Sequence, residues 1–499
     1  MSKAWERLEP KLKELADIGA TLGLMSWDQA VMMPPRGAPA RARAMATIEA
    51  IAHDRVTDPE IGELLTELES EDDLSVDQMA SVRILRRDYD KATKVPEELV
   101  RAIAEAQGRA YQAWVEARPA NDFSILEPHL KRLIDLKREQ ADAYGWKEER
   151  YDALLDDYEP GMKTSDVDKL FEELVGGLLP IIDKVFGAVD DPPEWLSASF
   201  DTGKQLRVNQ WLVEQLGFEM EGGRLDLSPH PFTMGVTVGD TRQTTRTEKN
   251  ALLNSIYAAM HETGHALYEQ GLLSELADWP VGRAPSLGMH ESQSRMWENQ
   301  VGRSEPFATF LLPKLKEQWP DEMGMLTPAE FYRGVNHPRR TLIRVTADEL
   351  TYNLHVAMRF KLELALFRDE LTVSDLPEAW DNASEETIGI KSETAADGVL
   401  QDMHWSMGAL GYFPTYSLGT VYSAAFFAVA VKELGDMSEE FSRGETSRLL
   451  EWLRTNIHEH AYRLDGKDLA EKITGGPVTA EPLLDYLKKK YGDLYGVSV

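Results

Sequence analysis

Apolar residues recur every three or four positions along most of the chain, with charged residues between them. This spacing places the apolar side chains on one face of a helix and predicts amphipathic α-helices. Clear examples are residues 82–92, 170–179 and 426–434. Residues 327–330 (TPAE) form a capping box with proline at the first helical position, which marks the start of a further helix. The pattern therefore predicts a mainly α-helical protein.

One stretch follows a different period. Apolar residues alternate from Phe232 to Val238, Gly239 and Asp240 supply a turn, and residues 242–246 follow. Alternation with a period of two is typical of a half-buried strand, and the turn indicates a hairpin. We therefore expect a small sheet just before, and beside, the helix that carries the strongest motif.

The breaks between helical segments are short, and they contain no long flexible linker, internal repeat or low-complexity tract. We therefore expect a single domain over residues 1–499. Within it we expect three parts: an N-terminal helical wall or lid at roughly 1–190, a catalytic core at roughly 200–430, and C-terminal helices at 431–499.

Composition excludes several classes of protein. The formal net charge is −31, which makes nucleic acid an improbable partner because phosphates are bound by clustered lysine and arginine. The chain contains no cysteine, so any metal must be held by histidine, aspartate or glutamate. No run of 18 apolar residues occurs and the N-terminus is a charged amphipathic pattern, so we expect no membrane span and a cytoplasmic location.

The strongest chemical signal is an HExxH motif formed by His261, Glu262 and His265. On a helix, positions i and i+4 share one face, so both imidazoles can bind one ion while Glu262 lies beside it. Apolar residues flank the motif at helical spacing, and Gly271 is a natural end, so residues 251–271 are predicted to be helical.

A catalytic zinc site needs a third protein ligand. The segment from residue 290 (HESQ) provides two candidates, Glu291 and the competing His290. Glu291, Arg295 and Glu298 follow at helical spacing, so a ligand and supporting groups would share one helix face.

Six motifs in chain order then make the sequence recognisable: HPF (230–232), DTRQT (240–244), HETGH (261–265), HESQ (290–293), IRVTAD (343–348) and GVLQDMHW (398–405). Together they resemble the carboxypeptidase Taq family of metallocarboxypeptidases over nearly the whole chain. The resemblance implies a helical body split by a deep groove, a homodimer, and removal of C-terminal amino acids from peptides with a free C-terminus. It also implies His261, His265 and Glu291 as metal ligands and Glu262 as general base.

The expected cofactor is one Zn²⁺ per chain, with Co²⁺ or Mn²⁺ as alternatives. Zinc lowers the pKa of its bound water to about 7, and Glu262 would accept the water proton and pass it to the leaving amine. The tetrahedral oxyanion needs a further donor, and His404, Tyr412 and Tyr416 are candidates by motif, Tyr412 also as a substrate contact.

An exopeptidase must also bind the terminal carboxylate, for which the arginine fork is suited. Residues 341–359 are predicted to be a helix with a polar stripe that contains Arg344 and Asp348. Arg344 could simply pair with Asp348 at i+4, but the resemblance favours it as the carboxylate anchor. Arg242 is the second candidate, and His230 either lines the groove or belongs to a turn.

Two rival functions remain open from the sequence. One is a zinc endo-oligopeptidase with the same metal chemistry but no carboxylate anchor. The other is an acidic helical binding scaffold without catalysis, which would lack stoichiometric metal.

Overall fold

The structure, a computed structural model, describes residues 2–498, and within these residues it contains twenty-one α-helices and one three-stranded sheet. The helices are α1 (Lys3–Val31), α2 (Ala38–Val56), α3 (Pro59–Leu68), α4 (Val76–Lys94), α5 (Glu97–Ala120), α6 (Glu127–Tyr144), α7 (Arg150–Leu155), α8 (Thr164–Phe186), α9 (Thr202–Gln215), α10 (Leu252–Glu269), α11 (Leu287–Arg295), α12 (Glu305–Gln318), α13 (Pro320–Met323), α14 (Pro328–Val335), α15 (Tyr352–Phe367), α16 (Leu376–Ile388), α17 (Pro414–Leu434), α18 (Ser438–Ser442), α19 (Ser447–Asn456), α20 (Gly466–Thr474) and α21 (Glu481–Tyr495). The strands are β1 (Gly223–Leu227), β2 (Thr233–Thr237) and β3 (Asp240–Thr245). The predicted mainly helical class is confirmed.

The small sheet lies directly against the helix that carries the HExxH motif. Its strand order is β1-β3-β2, with β2 antiparallel and β1 parallel to β3. The β2–β3 hairpin is the one that the alternating pattern predicts. The sequence pattern does not predict β1, because its five residues begin at the second of two glycines and contain only two apolar side chains.

In the part of the chain that the structure describes, the buried apolar side chains form two clusters. The large one joins residues from Ala80 to Tyr495 and includes the apolar faces of most helices after α4. The small one is formed by α1, α3 and α4 around Trp5, Leu8 and Leu65. Trp279, in the connection from α10 to α11, packs against both clusters and meets Trp5 edge-to-face at 4.8 Å between ring centroids. The division of the chain into wall, core and C-terminal helices stays a prediction.

α11 is held unusually close to its neighbours on two sides. A Cβ on Gly264 of α10 would lie 2.5 Å from the Cα of Ser294 in α11, and one on Gly419 of α17 would overlap the side chain of Glu291. Both positions therefore require glycine, since real Cβ atoms do not approach backbone or side-chain carbons so closely. This close contact places Glu291 beside the histidines of α10.

The predicted helix over residues 341–359 is wrong in its first half. Arg344–Thr346 is a single 3₁₀ turn, Ala347 is extended, and α15 begins only at Tyr352. The cause is Asp348, whose carboxylate accepts the backbone N–H groups of Arg339, Leu350 and Thr351 at 2.9–3.0 Å. These bonds give the backbone a local alternative to the helix, as aspartate commonly does.

α17 is central to the large cluster. Among residues 2–498 it is the single helix whose length and composition would suit a membrane span, and 72% of its apolar window is buried inside the protein. Most of its apolar side chains are therefore removed from water inside the protein, as in the core helix of a folded domain.

We predict that Gly264→Ala lowers the free energy of unfolding by about 1–3 kcal/mol, because the added methyl meets fixed backbone of α11 and overpacks the interface. Gly19→Ala, at an exposed position of α1, is the control, since its Cβ would meet nothing within 4 Å. That variant should gain about 0.5–1 kcal/mol through helix propensity. Urea unfolding of both proteins measures the difference, and equal stabilities would contradict the close-contact argument.

Candidate metal centre and active site

A deep cavity of about 1130 Å³ opens between α10, α11, the segment before α15 and the start of α17. Its lining brings together nine of the ten site residues predicted from the sequence: His230, His261, Glu262, His265, Glu291, Arg344, His404, Tyr412 and Tyr416. The predicted groove is therefore present, and the sequence motifs converge on it.

The side chains of His261, His265 and Glu291 each direct one ligand atom towards a common point in the cavity. Glu291 Oε2 lies 3.4 Å from His261 Nε2 and 3.3 Å from His265 Nε2. One ligand atom from each of the three residues lies within 4.8 Å of the others. Two imidazole nitrogens and one carboxylate oxygen form a donor set that fits a divalent ion such as Zn²⁺, with a coordination position left for water or substrate.

The remaining nitrogen of each imidazole is engaged behind this cluster. His261 Nδ1 lies 3.0 Å from Glu298 Oε2, and His265 Nδ1 lies 2.5 Å from His290 Nδ1. His290, the competing ligand in the sequence analysis, thus lies behind His265 and not at the convergence point.

Arginines hold the two carboxylates of this cluster. Arg295 Nε donates to Glu291 Oε1 at 2.7 Å, while Oε2, which accepts from Ser294 Oγ at 3.0 Å, faces the common point. Arg303 Nη2 lies 3.1 Å from Glu298 Oε1. Burial acts to raise the pKa of Glu298, but the hydrogen bond from His261 and the charges of Arg295 and Arg303 outweigh it and lower the pKa to about 2. Glu298 is therefore a stable anionic partner for His261.

Glu262 follows the first ligand on α10 and is buried, with 7% of its surface exposed. Thr233 of β2 donates through its hydroxyl to Glu262 Oε2 at 2.8 Å and lies 2.9 Å from the backbone oxygen of the same residue. Burial raises the pKa of Glu262, while the charge of His261 and the Thr233 hydrogen bond act in the opposite direction. The strand thus fixes the carboxylate at the cavity wall.

Arg344 lies in the cavity wall but does not pair with Asp348, contrary to the simple i+4 alternative. Its Nη2 lies 2.8 Å from Asp402 Oδ1, and its Nη1 donates to the Tyr352 hydroxyl at 3.2 Å. Asp402 Oδ2 accepts from Arg359 Nε at 2.7 Å. Burial acts to raise the pKa of Asp402, but Arg359 and Arg344 hold it well below its usual range. One aspartate therefore positions two buried arginines.

Three candidate donors for the oxyanion lie together next to Arg344. The Tyr416 hydroxyl lies 3.3 Å from His404 Nε2, and the rings of His404 and Tyr412 stack at 5.4 Å. Burial raises the pKa of Tyr412 and of Tyr416, so both phenols stay protonated donors at neutral pH. Burial also lowers the pKa of His404, which keeps its ring neutral.

Arg242 is the predicted site residue that the structure does not bring into the cavity lining. It makes a two-pronged contact with Asp240, with both N–O distances at 2.8 Å, and lies 4.4 Å above the Trp27 ring of α1. His230, by contrast, lines the cavity from the segment before β2.

Sequence reasoning missed several residues that support this site, and the reasons differ. Glu269 lies four residues after His265 on α10, so helical periodicity could have indicated it. Asp402 lies inside a recognised motif and could have been singled out there. Thr233 and Arg359 reach the site only through tertiary packing, and no local spacing signals them.

Comparisons with known proteins show the family to which the chain belongs. The profile of the family described as carboxypeptidase Taq (M32) metallopeptidase matches residues 7–491. The chain is 42% identical to Thermostable carboxypeptidase 1 of Thermus thermophilus, with 99% of each chain covered. It is 34% identical to Carboxypeptidase 1 of Bacillus subtilis, with 97% of each chain covered.

Solved structures show the same fold. The M32 carboxypeptidase of Deinococcus radiodurans has a TM-score of 0.97 and 39% identity, with 99% of this chain and 100% of that chain covered. The carboxypeptidase of Pyrococcus furiosus has a TM-score of 0.96 and 36% identity, with 98% and 99% covered. The chain therefore belongs to the carboxypeptidase Taq (M32) family and is a metallocarboxypeptidase, a peptide hydrolase.

Proposed function

We propose that this enzyme is a zinc-dependent carboxypeptidase that releases C-terminal amino acids from peptides, with Glu262 as its general base. The observation that carries the proposal is the convergence of His261, His265 and Glu291 beside Glu262, in one cavity with Arg344. A site of this kind brings together a metal, a base and a carboxylate anchor.

His261, His265 and Glu291 would hold one divalent ion per chain. When bound, such an ion supplies an acidified water as nucleophile and polarises the scissile carbonyl. Two nitrogen donors and one oxygen donor suit Zn²⁺, and Co²⁺ or Mn²⁺ accept the same donors.

Glu262 is the residue proposed to move the proton. Its carboxylate lies next to the cluster without belonging to it, and Thr233 holds one of its oxygens. Because burial raises the pKa of Glu262, the protonated form is a more accessible state than for an exposed glutamate. The carboxylate can therefore take a proton from water and return it to the leaving amine.

Arg344 is proposed to bind the terminal carboxylate of the peptide. Tyr352 and Asp402 each take one N–H group, from Nη1 and Nη2 respectively, and each of these nitrogens carries a second N–H. The planar guanidinium thus keeps donors for a two-pronged contact with a carboxylate. Its fixed position would set the distance between the chain end and the bond that is cleaved.

The hydroxyl of Tyr416 is proposed to stabilise the oxyanion, supported by His404 and Tyr412. The protonated phenol is a donor that lies in the cavity wall beside the anchor. A donor held in place before the reaction stabilises developing charge without reorganisation.

We predict that Glu262→Gln retains one metal ion per chain but lowers kcat by about 10²–10⁴-fold, since the amide cannot accept the proton. Metal content by elemental analysis and hydrolysis of an unblocked peptide measure the two effects. His265→Ala is the contrasting control and should lose metal and activity together. Near wild-type turnover in Glu262→Gln would remove the base assignment.

Arg344→Ala should lower kcat/KM by about 10–100-fold for a free-acid peptide, because charge-assisted hydrogen bonds to the carboxylate are lost. The same peptide with a C-terminal amide should be a poor substrate of both proteins. Arg242→Ala is a matched control, because that arginine contacts Asp240 and Trp27 outside the cavity lining, and it should leave both rates unchanged.

The same measurement separates the two peptidase functions. Equal hydrolysis of the acid and the amide by the wild-type enzyme would favour an endo-oligopeptidase. A uniform loss on both substrates in Arg344→Ala would move the anchor to another residue.

Asp402→Asn should lower the unfolding free energy at pH 7 by about 3–5 kcal/mol, because two buried arginines lose their counter-charge. The pKa of Asp402 is lowered in the folded state, so its contribution is complete above the ordinary aspartate value of about 3.9 and is lost as the pH falls below it. The difference in unfolding free energy between wild type and Asp402→Asn, measured by urea unfolding, should therefore be smaller at pH 3 than at pH 7. Asp485→Asn, exposed on α21, should change stability by less than about 0.5 kcal/mol at either pH.

A further inference from the structure

Two polar side chains behind His265 have no part in the mechanism above. Glu269 and His290 both line the cavity, on α10 and α11 respectively. His290 Nε2 lies 2.7 Å from Glu269 Oε1, and His290 Nδ1 lies 2.5 Å from His265 Nδ1. The three side chains form a continuous hydrogen-bonded row that ends at the nitrogen opposite the ligand atom of His265.

We propose that Glu269 and His290 are positioning residues that orient the His265 ring for metal binding. The inference rests on the proposed function, in which His265 is a metal ligand. It adds two residues that act through His265 and do not contact the ion.

The direction of the hydrogen bonds supports this role. A glutamate carboxylate only accepts, so His290 donates to it from Nε2 and is left with an accepting Nδ1. That atom accepts the N–H of His265 Nδ1. His265 Nε2 consequently keeps its lone pair on the side where Glu291 Oε2 lies 3.3 Å away.

His290 is poorly placed to be a ligand itself. Its Nδ1 lies against His265 Nδ1, which is not the ring nitrogen of His265 that faces Glu291 Oε2. Its Nε2 lies 2.7 Å from Glu269 Oε1. Both nitrogens of His290 are therefore engaged by neighbouring side chains away from the common point.

The other ligand histidine, His261, is also supported by a carboxylate, but without a second imidazole in between. His261 Nδ1 reaches the carboxylate of Glu298 directly at 3.0 Å. Both imidazoles of the cluster are thus backed by a carboxylate, one directly and one through a second imidazole. Such outer partners fix ring orientation and tautomer and typically change metal affinity 10–100-fold when removed.

The surroundings hold this row in place. The Tyr268 ring stacks on His290 with centroids 5.1 Å apart and is fully buried. Gly235 of β2 lies over Glu269, and a Cβ at that position would overlap the Glu269 carboxylate. The glycine therefore allows strand and carboxylate to approach each other closely.

The experiment compares metal affinity in variants that break the row at different points. His290→Phe keeps the ring but removes both nitrogens, and Glu269→Ala removes the terminal acceptor. Gly235→Ala displaces the carboxylate while both residues remain. His290→Asn is the conservative variant, since its side-chain oxygen can still accept near the Nδ1 position. Tyr268→Phe, which keeps the stacked ring, and Gly19→Ala, whose methyl meets nothing, are the matched controls.

The dissociation constant for Zn²⁺ is measured by competition with a chromophoric chelator, and site geometry by the visible absorption of the Co²⁺-loaded proteins. We expect His290→Phe, Glu269→Ala and Gly235→Ala to weaken Zn²⁺ binding about 10–100-fold and to change the Co²⁺ spectrum. His290→Asn should recover most of the affinity, and both controls should match wild type.

Two results would overturn the inference: unchanged affinity in His290→Phe and Gly235→Ala, or equal weakening in Tyr268→Phe, which would indicate packing alone. Should His290→Phe not fold, Gly235→Ala and His290→Asn decide the question. Failure of the proposed function looks different, because the wild-type enzyme would then bind no stoichiometric Zn²⁺, or His265→Ala would bind it as tightly as wild type.

Discussion

The active site depends on the close contact of three helices. α11 can supply a carboxylate to the histidines of α10 only because Gly264 on one side and Gly419 on the other leave room for its backbone and for Glu291. Helix axes normally lie 8–10 Å apart, a distance set by the side chains between them, so removing those side chains is the direct way to bring ligand atoms together. The atoms of His261, His265 and Glu291 are thus brought together by close helix packing as well as by the spacing of the HExxH motif.

Largely buried arginines lie around the cavity, although the protein as a whole is acidic. The chain has an excess of 31 negative charges, yet four largely buried arginines lie around this site, each paired with a carboxylate. Arg295 and Arg303 hold Glu298, and Asp402 holds Arg344 and Arg359. Paired charges can be buried where single ones cannot, so these groups keep fixed positions around the cavity. Arg344 and the cluster of His261, His265 and Glu291 are both supported in this way.

Much of this arrangement could be predicted from the sequence, because it follows from short periodic patterns. The i, i+4 spacing of His261 and His265 and the alternation in β2 report directly on a helix and a strand, and the structure contains both. The segment around Arg344 could not be predicted in the same way. Its apolar spacing favours a helix, but Asp348 diverts the backbone hydrogen bonds, and the true partner of Arg344 lies 58 residues further along the chain. Thr233 and Gly235 likewise matter through the surfaces they meet, and no local pattern encodes those.

Trp279 gives the N-terminal helices an influence beyond their own small cluster. It lies in the segment that connects α10 to α11 and touches the interior on both sides. A partial opening that frees Trp5 would remove one support of the connection between the two helices that carry His261, His265 and Glu291. Local melting of α1 would therefore loosen the segment that joins these two helices, which couples the N-terminal helices to the geometry of the site through one tryptophan contact.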